Sequence, residues 1–360
     1  MAFNSSPRAR RALKYVITIL VFALLVHFVL RLIDFANLFG FFRPHAGPKI
    51  SQQEILDAYT ARETLAGTSA TPIIPKILHQ VYHDWSDPDG DGTTAMPEDW
   101  EAARQSCIAL NPDWEYKLWT AKSSRDFIQD KFPWFLDTYD GYRYPVQRVD
   151  VIRYFALRHF GGIYIDLDNG CAQPLDAMTH FPAFTTDGGH GTLSNNIVGG
   201  APGHPLFHLL TESLPSYDWP WILPYVVVSY ASGQWYLTAM WERYHALLSP
   251  ATGTVKGHED LGDGHAPLYH VLMDMRPGEP DPYVLWTQER GGTWDQWDSA
   301  WFGWVGNHVG LVMGEVVGLI LFVGVLAWAC AKCCCCWCAR GRKGGTAAQG
   351  YKIIDGREEA

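Results

Sequence analysis

Two aspartates stand one residue apart in GGIYIDLDNG, residues 161–170, after a run of apolar side chains. The run Tyr164 to Leu167 predicts a buried strand, and Asp166 and Asp168 lie where it ends. Residues i and i+2 of a strand point to the same side, so both carboxylates can reach one cation. Hard divalent cations take carboxylate oxygens together with substrate phosphates. The spacing therefore favours a Mn²⁺ or Mg²⁺ site for a nucleotide diphosphate over the alternative, a solvated turn.

A second acidic cluster follows the calcium-loop pattern D-x-D-x-D-G-x5-E. Asp87, Asp89 and Asp91 would supply oxygen ligands, and Glu98 the last, bidentate one. The context differs from a calcium loop, because a strand precedes it instead of a helix. Thr94 also stands at the eighth position, which is normally apolar. These departures favour a solvated acidic turn over a calcium site.

The elements that must position these carboxylates alternate between strands and helices, which indicates an α/β sheet. Strands are predicted at Ile77–Tyr82 and residues 115–119, and helices at residues 97–110, 123–131 and 145–160. Gly161 and Gly162 end the last helix, because glycine tolerates the left-handed geometry of a helix C-terminus. Asp150 and Arg153 lie three apart on that helix, a spacing typical of a simple ion pair.

Two apolar segments have the length and composition of membrane helices. The first, residues 15–33, is a signal anchor or, less favoured, a cleaved signal peptide, since no clear cleavage site follows. Basic residues flank the outer end of each segment, which predicts cytosolic termini and a lumenal middle. The predicted organisation is a cytosolic N-terminus (1–14), anchor (15–33), stalk (34–71), lumenal domain (72–304), membrane helix (309–331) and cytosolic tail (332–360).

Six of the eight cysteines lie within residues 330–338. Their spacing is wrong for a tetrahedral zinc site, which needs two separated pairs. A cysteine cluster beside a membrane helix and basic residues indicates acylation. The candidate acylation sites are Cys333, Cys334, Cys335, Cys336 and Cys338. Cys107 and Cys171 lie in the lumenal part, and the sequence leaves open whether they pair.

Charge and aromatic content limit the classes of partner that the 360-residue chain is expected to bind. The net charge of −10 without a long basic run argues against nucleic acid. The chain has 16 tryptophans, and the stretch at residues 217–231 is rich in aromatic and apolar residues. That stretch is either core or a surface at the membrane interface, where Trp and Tyr concentrate.

Several stretches together resemble the family 32 glycosyltransferases: IPKILHQVYHDW, NPDWEYKLW, VDVIRYFALRHFGGIYIDLDNG and SNNIVGGAPGHPLF. With LPYVVVSYASGQWYLT, GGTWDQWD and two flanking apolar segments, the chain is similar to fungal mannosyltransferases that make mannosyl-inositol-phosphoceramide. The resemblance covers about residues 73–304 and implies a GT-A-like nucleotide-sugar-binding domain, a mixed sheet flanked by helices.

The resemblance also implies roles for individual residues. Asp150 and Arg153 would hold the donor sugar, Asp168 would bind the metal, and Asp166 would bind it more loosely or touch the ribose. The further donor-binding candidates are His79, Tyr82, Asn195 and Trp294, and Asp295 is a candidate third metal ligand. Gly233 and Gln234 stand where many family members have Gly-Pro, so the detail of that loop differs.

The implied reaction moves mannose from GDP-mannose to inositol phosphoceramide in the Golgi membrane, with retention of configuration and a divalent metal. A regulatory membrane subunit is an expected partner. Three alternatives stay open: a Golgi α-mannosyltransferase acting on protein glycans, a non-catalytic calcium-binding membrane partner, and a lumenal lectin. Asp166 and Asp168 beside Asp150 and Arg153 favour nucleotide-sugar chemistry over the lectin.

Overall fold

A computed structural model describes residues 7–40, 43–66, 72–84, 96–187, 191–248, 267–273, 284–288 and 297–325. The helices of the first unit are α1 (Pro7–Asn37), α2 (Gln52–Ala66), α3 (Glu98–Leu110), α4 (Ala121–Lys131), α5 (Leu136–Gly141), α6 (Pro145–Phe160), α7 (Pro205–Tyr217), α8 (Pro224–Ala231), α9 (Gln234–Leu247) and α10 (Ser299–Asn307). The strands are β1 (Lys49–Ser51), β2 (Ile77–Val81), β3 (Glu115–Trp119), β4 (Gly162–Ile165), β5 (Asn169–Cys171), β6 (Ala183–Asp187), β7 (Leu193–Gly200), β8 (Tyr269–Leu272) and β9 (Trp286–Gln288).

Seven strands form one mixed sheet in the order β1-β8-β6-β7-β4-β2-β3. β7 runs antiparallel to both of its neighbours, and the other neighbouring pairs are parallel. β2 has β3 on one side and β4 on the other, although β3 precedes β4 in the chain. The chain therefore changes direction across the sheet at β2. In open α/β sheets, ligands bind beyond the carboxyl ends of the strands at such a point.

Apolar side chains cover both faces of this sheet, because alternate strand residues point to opposite sides. Tyr164 and Val198 join a cluster formed with α4 to α7 and α9. Ile163, Ile165 and Ile197 join the opposite cluster, which includes residues of α2, α3 and the small β5–β9 sheet. The predicted α/β architecture is confirmed as helices packed on both faces of a mixed sheet.

The connection from α6 to β4 is tight and requires two glycines. Gly161 and Gly162 have φ values of 65° and 100°, in the region that side chains with a Cβ avoid. A Cβ on Gly162 would lie 2.5 Å from the backbone oxygen of Ile77 on β2. The strand that leads to the two aspartates can therefore approach β2 only with glycine at its start.

The predicted stalk, residues 34–71, is corrected in its middle part. Lys49–Ser51 pairs in parallel with β8 as an edge strand of the sheet. Ile55 of α2 is 3 % exposed and packs in the core, and the Gln52 carboxamide accepts the backbone N–H groups of Val284 and Leu285. Helix α2 therefore packs its apolar face against this domain instead of standing free.

Two segments bear on membrane attachment. Within α1, Tyr15–Asn37 is long and apolar enough to cross a membrane. A further helix, α11 (Val309–Val325), belongs to the second unit and passes the same test only together with α10. Residues 326–331 of the predicted second span and the cysteine-rich tail lie outside the described residues.

Cys107 of α3 and Cys171 of β5 form a disulfide, which settles the pairing that the sequence left open. The bond links two positions 64 residues apart and sits three residues after Asp168. It fixes the segment that follows the paired aspartates to the helix beneath it. The Cys171 N–H is also held, by the Ser106 hydroxyl at 2.9 Å.

Loss of this crosslink should destabilise the domain. A double Cys107→Ala and Cys171→Ala variant is expected to lose about 2–4 kcal/mol of unfolding free energy, because the open loop gains entropy in the unfolded chain. Denaturation of the detergent-solubilised chain, with and without a reductant, measures this loss. Reduction should lower wild-type stability and leave the double variant unchanged. Equal sensitivity of both to the reductant would contradict the assignment.

Candidate active site

One cavity of about 220 Å³ opens at the carboxyl ends of β2 and β4. Its lining comes from the ends of β2 and β4, from α6 and β7, and from the α8–α9 region. It includes residue 81 of β2 and residue 83 after it, residues 146, 149, 150 and 153 of α6, residues 166–168 after β4, residues 194–196 of β7, residues 228 and 229 of α8, residue 233, and residue 234 of α9. The fold thus brings Asp150, Arg153, Asp166, Asp168 and Asn195 to one site at the switch point of the sheet.

The Arg153 guanidinium lies at the centre of this arrangement. Its side chain is only 4 % exposed, and it pairs with Asp150 at 3.0 Å and with Asp166 at 3.3 Å. It also donates to the backbone oxygen of Asn195 and lies 4.6 Å from the ring centre of Tyr164. A buried cation is tolerated only with such compensation. The predicted ion pair with Asp150 is present, and Arg153 holds Asp166 as well.

Asp150 is held on both oxygens. Its Oδ1 accepts from Arg153 and from Asn195 Nδ2 at 3.0 Å, and its Oδ2 accepts from the Ser232 hydroxyl at 2.9 Å. Burial raises the pKa of Asp150 to about 6, against the opposing effects of Arg153 and Ser232. The hydrogen bonds on both oxygens therefore hold the carboxylate in one orientation.

Asp166 begins a tight turn and is not part of the strand. β4 ends at Ile165, and the backbone N–H of Asn169 donates to the backbone oxygen of Asp166 at 3.0 Å, which closes the turn. The Tyr164 hydroxyl donates to Asp166, as does Arg153. Burial raises the pKa of Asp166, and Arg153 opposes that rise. The two aspartates therefore share the site through turn geometry, which differs from the predicted strand alternation.

Asp168 is the carboxylate that lacks compensation. Among the described residues its buried Oδ1 has no hydrogen-bond partner. Burial and the neighbouring charge of Asp166 raise the pKa of Asp168 to about 7. An orphaned carboxylate oxygen at a cavity wall fits a hard divalent cation, which would supply the missing positive charge. Asp168 and Asp166 are the residues here that would hold it, and the described part contains no cluster of three metal-ligating side chains.

His79 does not reach the cavity. Its ring is fully buried, accepts from Trp119 Nε1 at 3.1 Å, and contacts the Gly161 oxygen at 2.8 Å. Burial lowers the pKa of His79 to about 4, so the ring is neutral and joins β2, β3 and the end of α6. Tyr82 is also buried, and the cavity is lined by its neighbours Val81 and His83 instead. Neither side chain lines the cavity in the described structure, and their predicted donor-binding roles stay predictions.

Of the remaining predicted site residues, the structure describes Asn195 but not Trp294 or Asp295. Asn195, on β7, lines the cavity and donates a hydrogen bond to Asp150. Trp294 and Asp295 lie outside the described residues, as do Asp87, Asp89, Asp91 and Cys333 to Cys338. Their predicted roles in donor binding, metal binding, calcium binding and acylation stay predictions.

Sequence reasoning missed the residues that hold Asp150 from the opposite wall. Ser232 lies 82 residues away from Asp150 in the chain, and Tyr154 donates to the Ser232 backbone oxygen at 2.9 Å. A Cβ on Gly233 would lie 3.1 Å from Ser229 Cα and 3.6 Å from Asp150 Oδ2, so the loop needs a small residue there. The S-G pair before a helix was the available signal.

Comparison with known proteins shows the family to which the chain belongs. Residues 97–185, which include Asp150, Arg153, Asp166 and Asp168, match the family described as "Glycosyltransferase sugar-binding region containing DXD motif". The chain is 36 % identical over 260 residues to inositol phosphoceramide mannosyltransferase 2 of Schizosaccharomyces pombe, covering 72 % of this chain and 69 % of that protein. The chain belongs to this family of DXD glycosyltransferases.

Other relatives of this glycosyltransferase carry related names. Mannosyl phosphorylinositol ceramide synthase SUR1 of Saccharomyces cerevisiae is 35 % identical over 263 residues, which cover 72 % of this chain and 63 % of that protein. The chain therefore spans somewhat less than two thirds of the length of that relative. Inositol phosphoceramide mannosyltransferase 3 of Schizosaccharomyces pombe is 42 % identical over 174 residues, 48 % of this chain and 46 % of that protein.

The buried arginine should dominate the stability of the glycosyltransferase site. Arg153→Met leaves two carboxylates uncompensated and is expected to cost about 3–5 kcal/mol of unfolding free energy. Arg125→Met is the matched control, because Arg125 pairs with Asp140 at the surface, with side chains 46 % and 41 % exposed. Its expected cost is about 1 kcal/mol or less. Denaturation curves that show the same loss for both variants would contradict a central role for Arg153.

Ser232 should act through Asp150. Its hydrogen bond favours the charged form of Asp150, so Ser232→Ala is expected to raise the Asp150 pKa further. If ionised Asp150 is required, the acidic limb of kcat/KM then moves to higher pH, with activity at pH 8 less affected than activity at pH 6. Ser216→Ala, at an exposed position of α7, is the control. An unmoved acidic limb in Ser232→Ala would refute the positioning role.

Proposed function

We propose that this glycosyltransferase moves mannose from GDP-mannose to the inositol of inositol phosphoceramide, with retention of configuration and with Mn²⁺ or Mg²⁺. The observation that carries the proposal is Asp168, a half-buried carboxylate whose buried Oδ1 has no hydrogen-bond partner among the described residues, beside the Asp150–Arg153–Asp166 cluster. The names of the relatives supply the sugar and the acceptor. The mixed sheet with its site at the switch point supports a GT-A-like domain.

The chain's own residues would bind and orient the donor. Asp150 and Asn195 present a fixed carboxylate and amide to the cavity, and both groups suit sugar hydroxyls. Arg153 keeps Asp150 and Asp166 charged and in place. Holding the sugar in one geometry makes the encounter with the acceptor effectively unimolecular. The cavity lining offers no reason to invoke a covalent intermediate, so departure and attack on the same face is the proposed course.

Asp166 and Asp168 would hold the divalent cation, together with oxygens of the diphosphate. When bound, the cation neutralises charge that develops on the departing diphosphate. Asp168 is suited to this part because, among the described residues, no internal partner satisfies its Oδ1. Asp166 already accepts from Tyr164 and Arg153, so it has less capacity left for a metal. The cation would therefore bind Asp168 more directly than Asp166.

The proposed location is the Golgi membrane, with the catalytic domain in the lumen and both termini in the cytosol. The disulfide between Cys107 and Cys171 supports an oxidising compartment. The apolar stretch Tyr15–Asn37 supports membrane attachment. A regulatory membrane subunit is a further proposed partner. Transfer to protein glycans and a purely calcium-binding role gain no support from the described residues.

The proposal predicts that Asp168→Asn abolishes transfer while the protein persists. Transfer of labelled mannose from GDP-mannose to inositol phosphoceramide is measured in membranes that carry each protein, with Mn²⁺ or with a chelator. Wild type should need the metal, and Asp168→Asn should lose at least about a hundredfold in rate, since a metal ligand is missing.

Asp137→Asn provides the matched control, because Asp137 is an exposed carboxylate on α5. It should retain wild-type transfer at equal protein level. Transfer by Asp168→Asn at the wild-type rate would overturn the metal role. Wild-type transfer to a glycoprotein acceptor and none to the lipid would overturn the acceptor and favour the glycan alternative.

A further inference from the structure

Exposed aromatic side chains concentrate on two neighbouring segments. Trp219, Trp221 and Ile222, in the linker between α7 and α8, are 62 %, 41 % and 90 % exposed. Trp297, Trp301 and Trp304, at and along α10, are 76 %, 56 % and 45 % exposed. These six residues are called the aromatic surface below. Trp301 and Trp304 are three residues apart in α10, which places them on one helical face, and Trp297 lies just before the helix.

The two segments are joined through α8. The Asp298 carboxylate accepts the Tyr225 N–H at 2.9 Å, at the first turn of α8. The Tyr225 ring stacks on Phe302 of α10, with centroids 4.9 Å apart. Trp221 packs against Tyr230 of α8 at 5.7 Å. Both halves of the aromatic surface are therefore anchored on the same short helix.

The same helix forms a wall of the active-site cavity. Val228 and Ser229 of α8 line the cavity, and so does Gln234 at the start of α9. Gln234 donates to the Tyr225 hydroxyl at 2.9 Å, and Tyr225 contacts α10. The Tyr225 side chain thus contacts both Gln234 of the cavity lining and α10, the helix that carries exposed tryptophans. The aromatic surface lies beside the cavity and not on a remote face.

The apolar helix α1 ends at the same place. Phe35 and Phe39 pack against Trp235 with ring centroids 5.2 and 5.6 Å apart, and Phe302 of α10 packs on the same ring at 5.8 Å. Between residues 15 and 30 the side chains of α1 are exposed and mostly apolar, as expected for a segment surrounded by lipid. A bilayer that surrounds α1 therefore reaches the domain where α10 lies. In the chain, α10 also leads directly into the apolar helix α11.

We propose that the aromatic surface rests in the interface of the bilayer and brings the mouth of the cavity to the lipid headgroups. Tryptophan suits this position because its ring is apolar and its N–H remains hydrogen-bonded. A separate protein partner is the other candidate occupant. The bilayer is favoured because the end of α1 fixes membrane at this side of the domain. The inference rests on the proposed function in that the acceptor is a membrane lipid.

The surface would act on the acceptor and not on the donor. Inositol phosphoceramide keeps its ceramide tail in the leaflet, so its headgroup reaches the cavity only if the cavity stands at headgroup height. None of the six residues lines the cavity or touches Asp150, Arg153, Asp166 or Asp168 in the described part of the chain. Their loss should therefore weaken use of a bilayer acceptor and leave use of a soluble acceptor intact.

The test uses the full chain reconstituted in liposomes, with Trp301→Ser/Trp304→Ser and Trp219→Ser/Trp221→Ser compared with wild type. Trp134→Ser is the matched control, because Trp134 is 51 % exposed and lies outside the aromatic surface. For inositol phosphoceramide in the bilayer, kcat/KM should fall about tenfold or more in each double variant. For a short-chain, water-soluble inositol phosphate ester it should change less than about twofold. Equal falls with both acceptors, or no fall with either, would overturn the inference.

A second readout does not depend on the acceptor. Lipids brominated near the headgroup end of the acyl chain quench tryptophans that lie in the interface. In each double variant, the fraction of tryptophan fluorescence that the brominated lipid quenches should be smaller than in wild type. In Trp134→Ser this quenched fraction should be larger, because the tryptophan removed is one that the lipid does not reach. If wild type transfers no mannose to inositol phosphoceramide, the proposed function fails and the quenching alone decides this inference. A quenched fraction in the double variants that is no smaller than in wild type would contradict the inference.

Discussion

The site depends on one buried guanidinium. Arg153 reaches both Asp150 and Asp166, and its charge offsets one buried and one half-buried carboxylate. Without it, burial would favour protonation of both acids or their exposure to solvent. Because Arg153 is on α6 and Asp166 follows β4, the same contact fixes the helix against the strand. Donor orientation and site stability thus have a common physical origin.

The sheet explains why the uncompensated charge is at Asp168. The carboxyl ends of β2 and β4 leave a crevice where the chain changes direction, and the turn after β4 enters it. The turn is held by the Asn196 oxygen, which accepts the Asp166 N–H at 2.8 Å, and by the nearby disulfide. Asp168 is therefore held at the cavity with a carboxylate oxygen that no described residue binds. Retaining such a group costs stability, which is typical of functional sites.

Local patterns predicted most of the elements around this site but not the contacts between them. The strand at residues 115–119 and the helix at residues 145–160 agree with their predicted bounds, because apolar periodicity and the Gly161–Gly162 stop act locally. The pairing of Asp150 with Ser232 joins residues 82 positions apart, which no local pattern encodes. The edge strand at residues 49–51 was missed because its three residues carry too little periodicity. His79 matched a motif, yet its hydrogen bonds serve the packing of β2.

The central claim is that Asp168 completes a site for a metal and a diphosphate, supported by Arg153. The most direct test is calorimetric binding of GDP to the detergent-solubilised full chain, with and without Mn²⁺, for wild type and Asp168→Asn. We expect Mn²⁺ to tighten GDP binding by about tenfold or more in wild type, equivalent to about 1.4 kcal/mol, and to have little effect in the variant. The same Mn²⁺ dependence in both proteins would contradict it.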